Sequence, residues 1–480
     1  MNELLIRGRV LTFLAEPQGI DDTAAWRYIE DGAVFVRGGK VVEIGEHAEV
    51  SRHAGPGVAV ADHRPHLVLP GLIDTHLHFP QTQAIASYGA QLLEWLNTYI
   101  FVEEQKFAEA AHAAAVADRF MDELISNGTT TAVAYCSVHP ESVEAYFSAA
   151  EARGMRMVGG KVMMDRNAPD ALRDTPQQGY DETKRLIEKW HGRGRAHYAI
   201  SPRFAITSTP EQMEMSQALV AEHPSCYVQT HLSENRDEIA FATSLYPQAK
   251  DYTDIYARYG LLNDRMLLGH CIYLSDREVS VLAETGAVGV FCPTSNLFLG
   301  SGLFDRDKFD RLGARWSVAT DVGAGTSFSM LETMDEAYKV LHLNGQKLTP
   351  FNSFYRLTLG NARALGLEKH IGSLHAGADA DIVVLDSSGK SAMEYRMRTA
   401  TSLAEELFIL QTMGDDRCVA EVYVAGKAMK GKGKAGASEK AGSRNGLKSG
   451  MAGTCSPAGA AHAIVILGLE PRIHMTPLRL

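Results

Sequence analysis

Eight apolar runs rich in β-branched residues recur between residues 67 and 321, at 67–76, 129–136, 155–164, 196–201, 226–231, 265–270, 287–292 and 315–321. Apolar side chains at successive positions suit strands buried on both faces, the condition of a parallel sheet covered by helices. Stretches with helical periodicity fall between them and predict helices over 103–126, 142–152, 182–190, 210–221, 276–284 and 331–341. Repeated strand-plus-helix units in this span predict an α/β fold, a closed (β/α)8 TIM barrel. An open doubly wound sheet is the alternative.

The rhythm differs on either side. Residues 1–66 alternate short β-branched runs with glycine, including a Gly38-Gly39 turn between 33–37 and 41–44, and strands return at 377–385 and 419–426. The two chain ends are expected to pack together as one small β-sandwich, from residues 1–66 and 373–429, beside a catalytic barrel of residues 67–372. From Lys430 the chain turns Gly-, Ala-, Lys- and Ser-rich, with Lys432, Lys434, Lys440, Arg444 and Lys448 against Glu439. That composition buries too little apolar area to offset the entropy of ordering, so residues 430–480 are expected to be a disordered, dispensable tail.

Composition removes several classes of function. Of 480 residues 45% are hydrophobic and 22% charged, which excludes wholesale disorder and fibrous architecture. A net charge of −11 leaves no basic footprint for nucleic acid. No apolar run approaches the ~18 residues needed to cross a bilayer, and the start does not read as a secretory leader. A cytoplasmic enzyme acting on a small molecule is expected. Six cysteines lie far apart with no C-x-x-C pair and read as reduced core thiols.

In such a barrel the reactive groups gather at the C-terminal ends of the strands. The first strand ends Asp74-Thr75-His76-Leu77-His78, and alternation along a strand sends His76 and His78 to the same side. The fifth ends at His231, the sixth at His270 and the eighth at Asp321. Nitrogen and oxygen donors of this kind suit one divalent metal. Any one of them alone is an ordinary structural residue, and Asp321 could be a helix cap. Their joint arrival at strand ends, while the other fourteen histidines are scattered, is the signal. Glu234, three residues beyond His231, is placed to exchange a proton with a metal-activated water or a substrate; its bland reading is a first-turn glutamate favoured by the helix dipole.

The string Pro70-Gly71-Leu72-Ile73-Asp74-Thr75-His76-Leu77-His78 resembles the first-strand motif of the amidohydrolase superfamily. Gly377-Ala378-Asp379-Ala380-Asp381-Ile382-Val383 resembles that superfamily's return into its β-sandwich. Phe79-Pro80-Gln81, Leu93-Glu94-Trp95-Leu96, Ser201-Pro202-Arg203-Phe204 and Thr230-His231-Leu232-Ser233-Glu234-Asn235 are similar to its guanine-deaminating branch. The resemblance spans residues 4–429. It implies a zinc-dependent hydrolytic deamination of guanine to xanthine and ammonia, with a metal-activated water attacking C2. It assigns metal binding to His76, His78, His231 and Asp321, and sets His270 beside the water. Ser201-Pro202-Arg203 stands where two-metal members carry a bridging lysine, so one ion is expected, zinc, with iron equally compatible with three imidazoles and a carboxylate.

For that reaction Glu234, Asp321 and His270 are the expected catalytic groups, and these three with His231 also touch substrate. Guanine presents O6 and N7 as adjacent acceptors, which a guanidinium fork can reach together; Arg203 is the candidate. Gln81 can serve the other edge and Phe204 can pack on the ring. Read without the resemblance, Arg203 would be a structural ion pair and Phe204 ordinary core. The alternatives are an amidohydrolase acting on another purine, a pyrimidine or a triazine, and a noncatalytic scaffold. Barrels of this superfamily often pair, so a homodimer is expected by analogy. Three further patterns are decoys: His47-Ala48-Glu49 lacks a P-C-x-x-C partner, Gly323-Ala324-Gly325 fails as a dinucleotide loop at Phe328, and Cys271 faces away from its neighbour His270.

Overall fold

A computed structural model of the chain describes residues 3–88 and 92–430. The tail expected from 430 onward therefore lies, apart from Lys430, outside the described residues. The strands, in chain order, are β1 (Glu3–Phe13), β2 (Trp26–Arg37), β3 (Lys40–Glu46), β4 (Ala59–Pro70), β5 (Leu72–His78), β6 (Thr129–Tyr135), β7 (Arg156–Gly160), β8 (Val162–Met163), β9 (Ala196–Pro202), β10 (Tyr227–Leu232), β11 (Met266–His270), β12 (Val288–Phe291), β13 (Arg315–Val318), β14 (Ile382–Leu385), β15 (Val419–Val424) and β16 (Lys427–Ala428).

Among the described residues these strands form two sheets. The chain ends meet in a mixed seven-stranded sheet of order β16-β15-β14-β4-β1-β2-β3, in which β1 and β4 run parallel and the other pairs antiparallel. The other sheet runs β5-β6-β7-β9-β10-β11-β12-β13, all parallel, with β8 added on β9. Its first and last strands meet across a seam. Thr75 Oγ1 lies 2.9 Å from Ser317 Oγ and donates to the Val318 carbonyl, and the Asp321 amide donates to the His76 carbonyl at 2.9 Å. The Asn361 side chain spans the seam, its Nδ2 donating to the carbonyls of Ile73 and Val318 at 2.7 and 2.8 Å. The sheet is thus a nearly closed eight-stranded barrel, and the open alternative does not hold. Ile73, Val133, Val158, Ala199, Tyr227, Leu267 and Val288 are buried together in one apolar cluster of barrel-strand residues.

The run predicted as one strand over 67–76 is two strands broken at Gly71. Residues up to Pro70 pair with β14 in the mixed sheet, and Leu72 opens the barrel. A Cβ at position 71 would run into the Thr130 side chain, so only glycine permits this crossing. The helix expected over 103–126 is also divided: Phe101–Glu104 and a 3-10 turn Gln105–Ala108 precede a helix Ala110–Ser126, because Glu109 adopts extended backbone. Between β14 and β15 lie two helices, Ser391–Met397 and Leu403–Met413. The second presents Glu406 to Arg9 of β1 in a two-pronged ion pair at 2.7 and 2.5 Å. The five cysteines among the described residues are buried and unpaired. No described helix is long and apolar enough to cross a membrane.

The end of the barrel where its strands begin is tied to the mixed sheet by charge. Asp379 meets Lys40, Arg156 and Arg195, while Asp381 pairs with Arg195 and accepts the Ala425 amide at 2.8 Å. Burial would raise the Asp379 carboxyl, but Arg195, Lys40 and Arg156 outweigh it and hold it at about 2.

Candidate active site and metal centre

Alternation along β5 brings His76 and His78 to one face, and β10, β11 and the turn after β13 deliver His231, His270 and Asp321 to the same place. His76 Nε2 and His78 Nε2 lie 3.3 and 3.5 Å from Asp321 Oδ1. His78 Nε2 lies 3.1 Å from His231 Nε2, and His270 Nε2 lies 3.8 Å from Asp321 Oδ2. Donor atoms of His76, His78 and His231 all fall within 4.8 Å of one another, as do those of His76, His270, Cys292 and Asp321. The backbone is bent to achieve this: His270 (φ 73°) and Asp321 (φ 52°) sit in the left-handed region, where side chains other than glycine are strained.

The donors fit a cation. His231 Nδ1 donates to the Arg203 carbonyl at 2.7 Å, which leaves its Nε2 as the lone-pair nitrogen, facing His78 Nε2. Burial holds His76 below the ordinary imidazole range, and His78 and His231 well below it, so all three are neutral. The Nδ1 atoms of His76 and His78 are buried without a hydrogen bond. Burial opposes ionisation of Asp321, yet the His76 imidazole 3.3 Å away, with those of His270 and His231, holds it at about 2. Three neutral imidazoles and one carboxylate converging in a buried cluster are incompletely satisfied by protein alone; a divalent ion satisfies them.

Beside the donors lies a pocket whose walls include Gln81, Arg203, Phe204, Glu234, His270 and Asp321, together with Leu92, Trp95 and Leu96. Glu234 is 3% exposed and stands just before the helix Arg236–Leu245 rather than inside it. Its Oε2 lies 3.4 Å from His270 Nε2, and its Oε1 accepts from Ser301 Oγ at 2.8 Å. Burial raises the Glu234 carboxyl, favouring the proton-carrying form. His270 Nδ1 is paired with Asn296 Oδ1 at 2.9 Å, and Glu234 and Asp321 raise its imidazole despite burial.

All nine residues expected from the sequence are brought together here, but the two polar substrate-edge candidates are not free. Arg203 is clamped by Glu104, its Nη1 2.9 and 2.8 Å from the two carboxylate oxygens, and Gln81 Nε2 donates to the same carboxylate at 3.0 Å. Sequence reasoning missed Glu104, Asn296 and Ser301, and gave no role to Asp74, whose buried carboxyl is raised to about 7 and accepts from Thr320 and the His76 amide. For Asp74 a signal existed, since it lies two positions before His76 on the same face; for the others the partners lie 23 to 99 residues away and no local pattern marks them.

A parallel barrel with this histidine and aspartate set at its strand ends defines a class of metal-dependent hydrolases, and the chain belongs to the amidohydrolase family, whose profile matches residues 67–429. Within that family its similarity is to guanine deaminases. It is 46% identical over 404 residues to the guanine deaminase of Escherichia coli (strain K12), covering 84% of this chain and 92% of that one. It superposes on the crystal structure of the Bradyrhizobium japonicum guanine deaminase with a TM-score of 0.87 and 36% identity, over 89% of this chain and 99% of that one. The C. acetobutylicum guanine deaminase, solved with guanine bound in its active site, gives a TM-score of 0.80 and 28% identity over 89% of this chain and all of that one.

Proposed function

We propose that this chain is a guanine deaminase: guanine and water are converted to xanthine and ammonia at the C-terminal mouth of the barrel. What carries the reading is the joint presence of the buried His/Asp donor cluster and of similarity to guanine deaminases along nearly the whole described chain. A divalent ion held by His76, His78, His231 and Asp321, zinc in this reading and iron as the alternative, would supply Lewis acidity that brings the pKa of a water toward neutrality.

The chain's own groups do the rest. His270, anchored by Asn296, orients the water and steadies the charge that builds as it adds to C2. Asp321 takes up the water proton. Glu234, its carboxyl raised by burial and aimed by Ser301, passes a proton to the ring nitrogen beside C2, so that the ring accepts the electron pair; a second transfer lets the 2-amino group leave as ammonia. Arg203 holds the O6 and N7 edge, Gln81, tied to the same Glu104 carboxylate, serves that edge rather than the opposite one expected for it, and Phe204, 5% exposed in the cavity wall, packs on the ring. A cytosolic location and a homodimer complete the reading, to be checked by fractionation and light scattering.

The test is ammonia release from guanine compared with adenine, cytosine and halogenated triazines, with metal analysis of the same sample. Release from guanine with xanthine as product and one equivalent of metal is expected. Turnover of another ring with none of guanine overturns the reading, and a metal-free, inert protein revives the noncatalytic scaffold.

A further inference from the structure

Glu104 is 1% exposed, stands outside the donor cluster, and is the acceptor on which two walls of the cavity converge. Its Oε1 accepts from both Gln81 Nε2 and Arg203 Nη1, and its Oε2 accepts from Arg203 Nη1 again. The other end of the Gln81 amide is also committed, because Oε1 accepts the Gly323 backbone N–H at 3.2 Å. Turning that amide over would set an NH2 group against the Gly323 N–H and an oxygen against the Glu104 carboxylate, two repulsive contacts in place of two attractive ones. Phe101, one helical turn before Glu104, lies under the guanidinium with its centroid 5.5 Å from Arg203 Cζ. Arg203 Nε and Nη2 make no hydrogen bond to the described residues.

We propose that Glu104 is a positioning and specificity-determining residue: it locks the polarity of Gln81 and Arg203 so that this wall of the cavity offers N–H donors and no acceptor. The inference rests on the guanine reading, which it deepens. The remaining hydrogen on Gln81 Nε2 and the outer N–H groups of Arg203 meet the O6 and N7 lone pairs of an oxo-purine. 2,6-Diaminopurine, with an amino group at position 6, sets N–H against N–H, and buried donors without acceptors are costly, so it is rejected although it carries the same 2-amino leaving group. A neutral amide at position 104 supplies one acceptor oxygen where the carboxylate supplies two, which releases Gln81, Arg203 or both.

The test pairs Glu104→Gln with Glu104→Asp, the latter keeping the charge beside Arg203 while withdrawing it from simultaneous reach of Gln81. Guanine kinetics, inhibition by 2,6-diaminopurine, bound metal and melting temperature are measured for each. In Glu104→Gln we expect a KM for guanine raised at least tenfold with kcat changed less, full metal content, and a ratio of the 2,6-diaminopurine Ki to the guanine KM narrowed at least tenfold; Glu104→Asp moves the same way by less. An unchanged ratio in both variants, or in whichever of them folds, overturns the proposal and leaves Glu104 a structural partner of Arg203. A wild-type protein that releases no ammonia from guanine defeats the functional reading itself, and this inference with it, before any variant is made.

Discussion

Two clusters of buried charge sit on the two ends of one barrel, and they differ in how well they are satisfied. Where the strands begin, Asp379 and Asp381 are matched by Lys40, Arg156 and Arg195 in direct ion pairs. Where the strands end, three neutral imidazoles and a carboxylate point at one another, with Asp321 and the neighbouring His270 held on left-handed backbone. A paired cluster contributes to stability, whereas an unfulfilled one held by strain costs stability and is kept for what it binds. Barrels of this architecture divide their labour along the same axis.

The sharpest way to break this contrast is to empty the open cluster. Chelation, or His231→Ala, should abolish turnover by about a thousandfold or more, and zinc added back should restore the chelated protein but not the variant, as read by ammonia release and metal content. Next in size, Glu234→Gln should retain metal and lose roughly 10²- to 10⁴-fold in kcat; turnover near the wild-type value would remove Glu234 from proton transfer. At the closed cluster the order of effects inverts. Asp379→Asn leaves Arg156 and Arg195 underpaired and should cost about 3–5 kcal/mol in denaturant unfolding, while kcat of the folded fraction stays near wild type.

The same carboxylate sets a pH dependence. Its folded pKa of about 2 lies below the ordinary 3.8, so its stabilisation is complete above about pH 4 and drains away as pH falls through about 2. Unfolding free energies followed over that range should drop by roughly 2 kcal/mol more in wild type than in Asp379→Asn. Smallest, Asn296→Ala should lower kcat by about tenfold with KM for guanine and metal content unchanged, since its side chain acts on His270 alone; a change confined to KM would reassign it to substrate binding.

Much of the barrel was readable beforehand because parallel strands announce themselves as apolar runs, and His76, His78, His231, His270 and Asp321 stood out because each closes such a run. What escaped has two physical origins. The break at Gly71 was hidden because the strands on either side of it are equally apolar, and the steric reason for glycine is Thr130, far along the chain. The helix Leu403–Met413 sits in a segment whose flanks read as strand, and its apolar residues bunch in one run, Leu407 to Leu410, instead of recurring with a clear helical period. Glu104 was invisible for a different reason. Its partners are 23 and 99 residues away, and nothing local distinguishes it from Glu103, which pairs with Lys106 near the surface.

The side-chain amide of Asn361 spans the seam between β5 and β13, the strands that carry His76 and His78 and that lead to Asp321. A nascent polypeptide halted before that asparagine already contains every metal donor, yet lacks the rivet that keeps the first and last staves together. The order of synthesis thus makes the ion's cradle one of the last parts of the barrel to be completed.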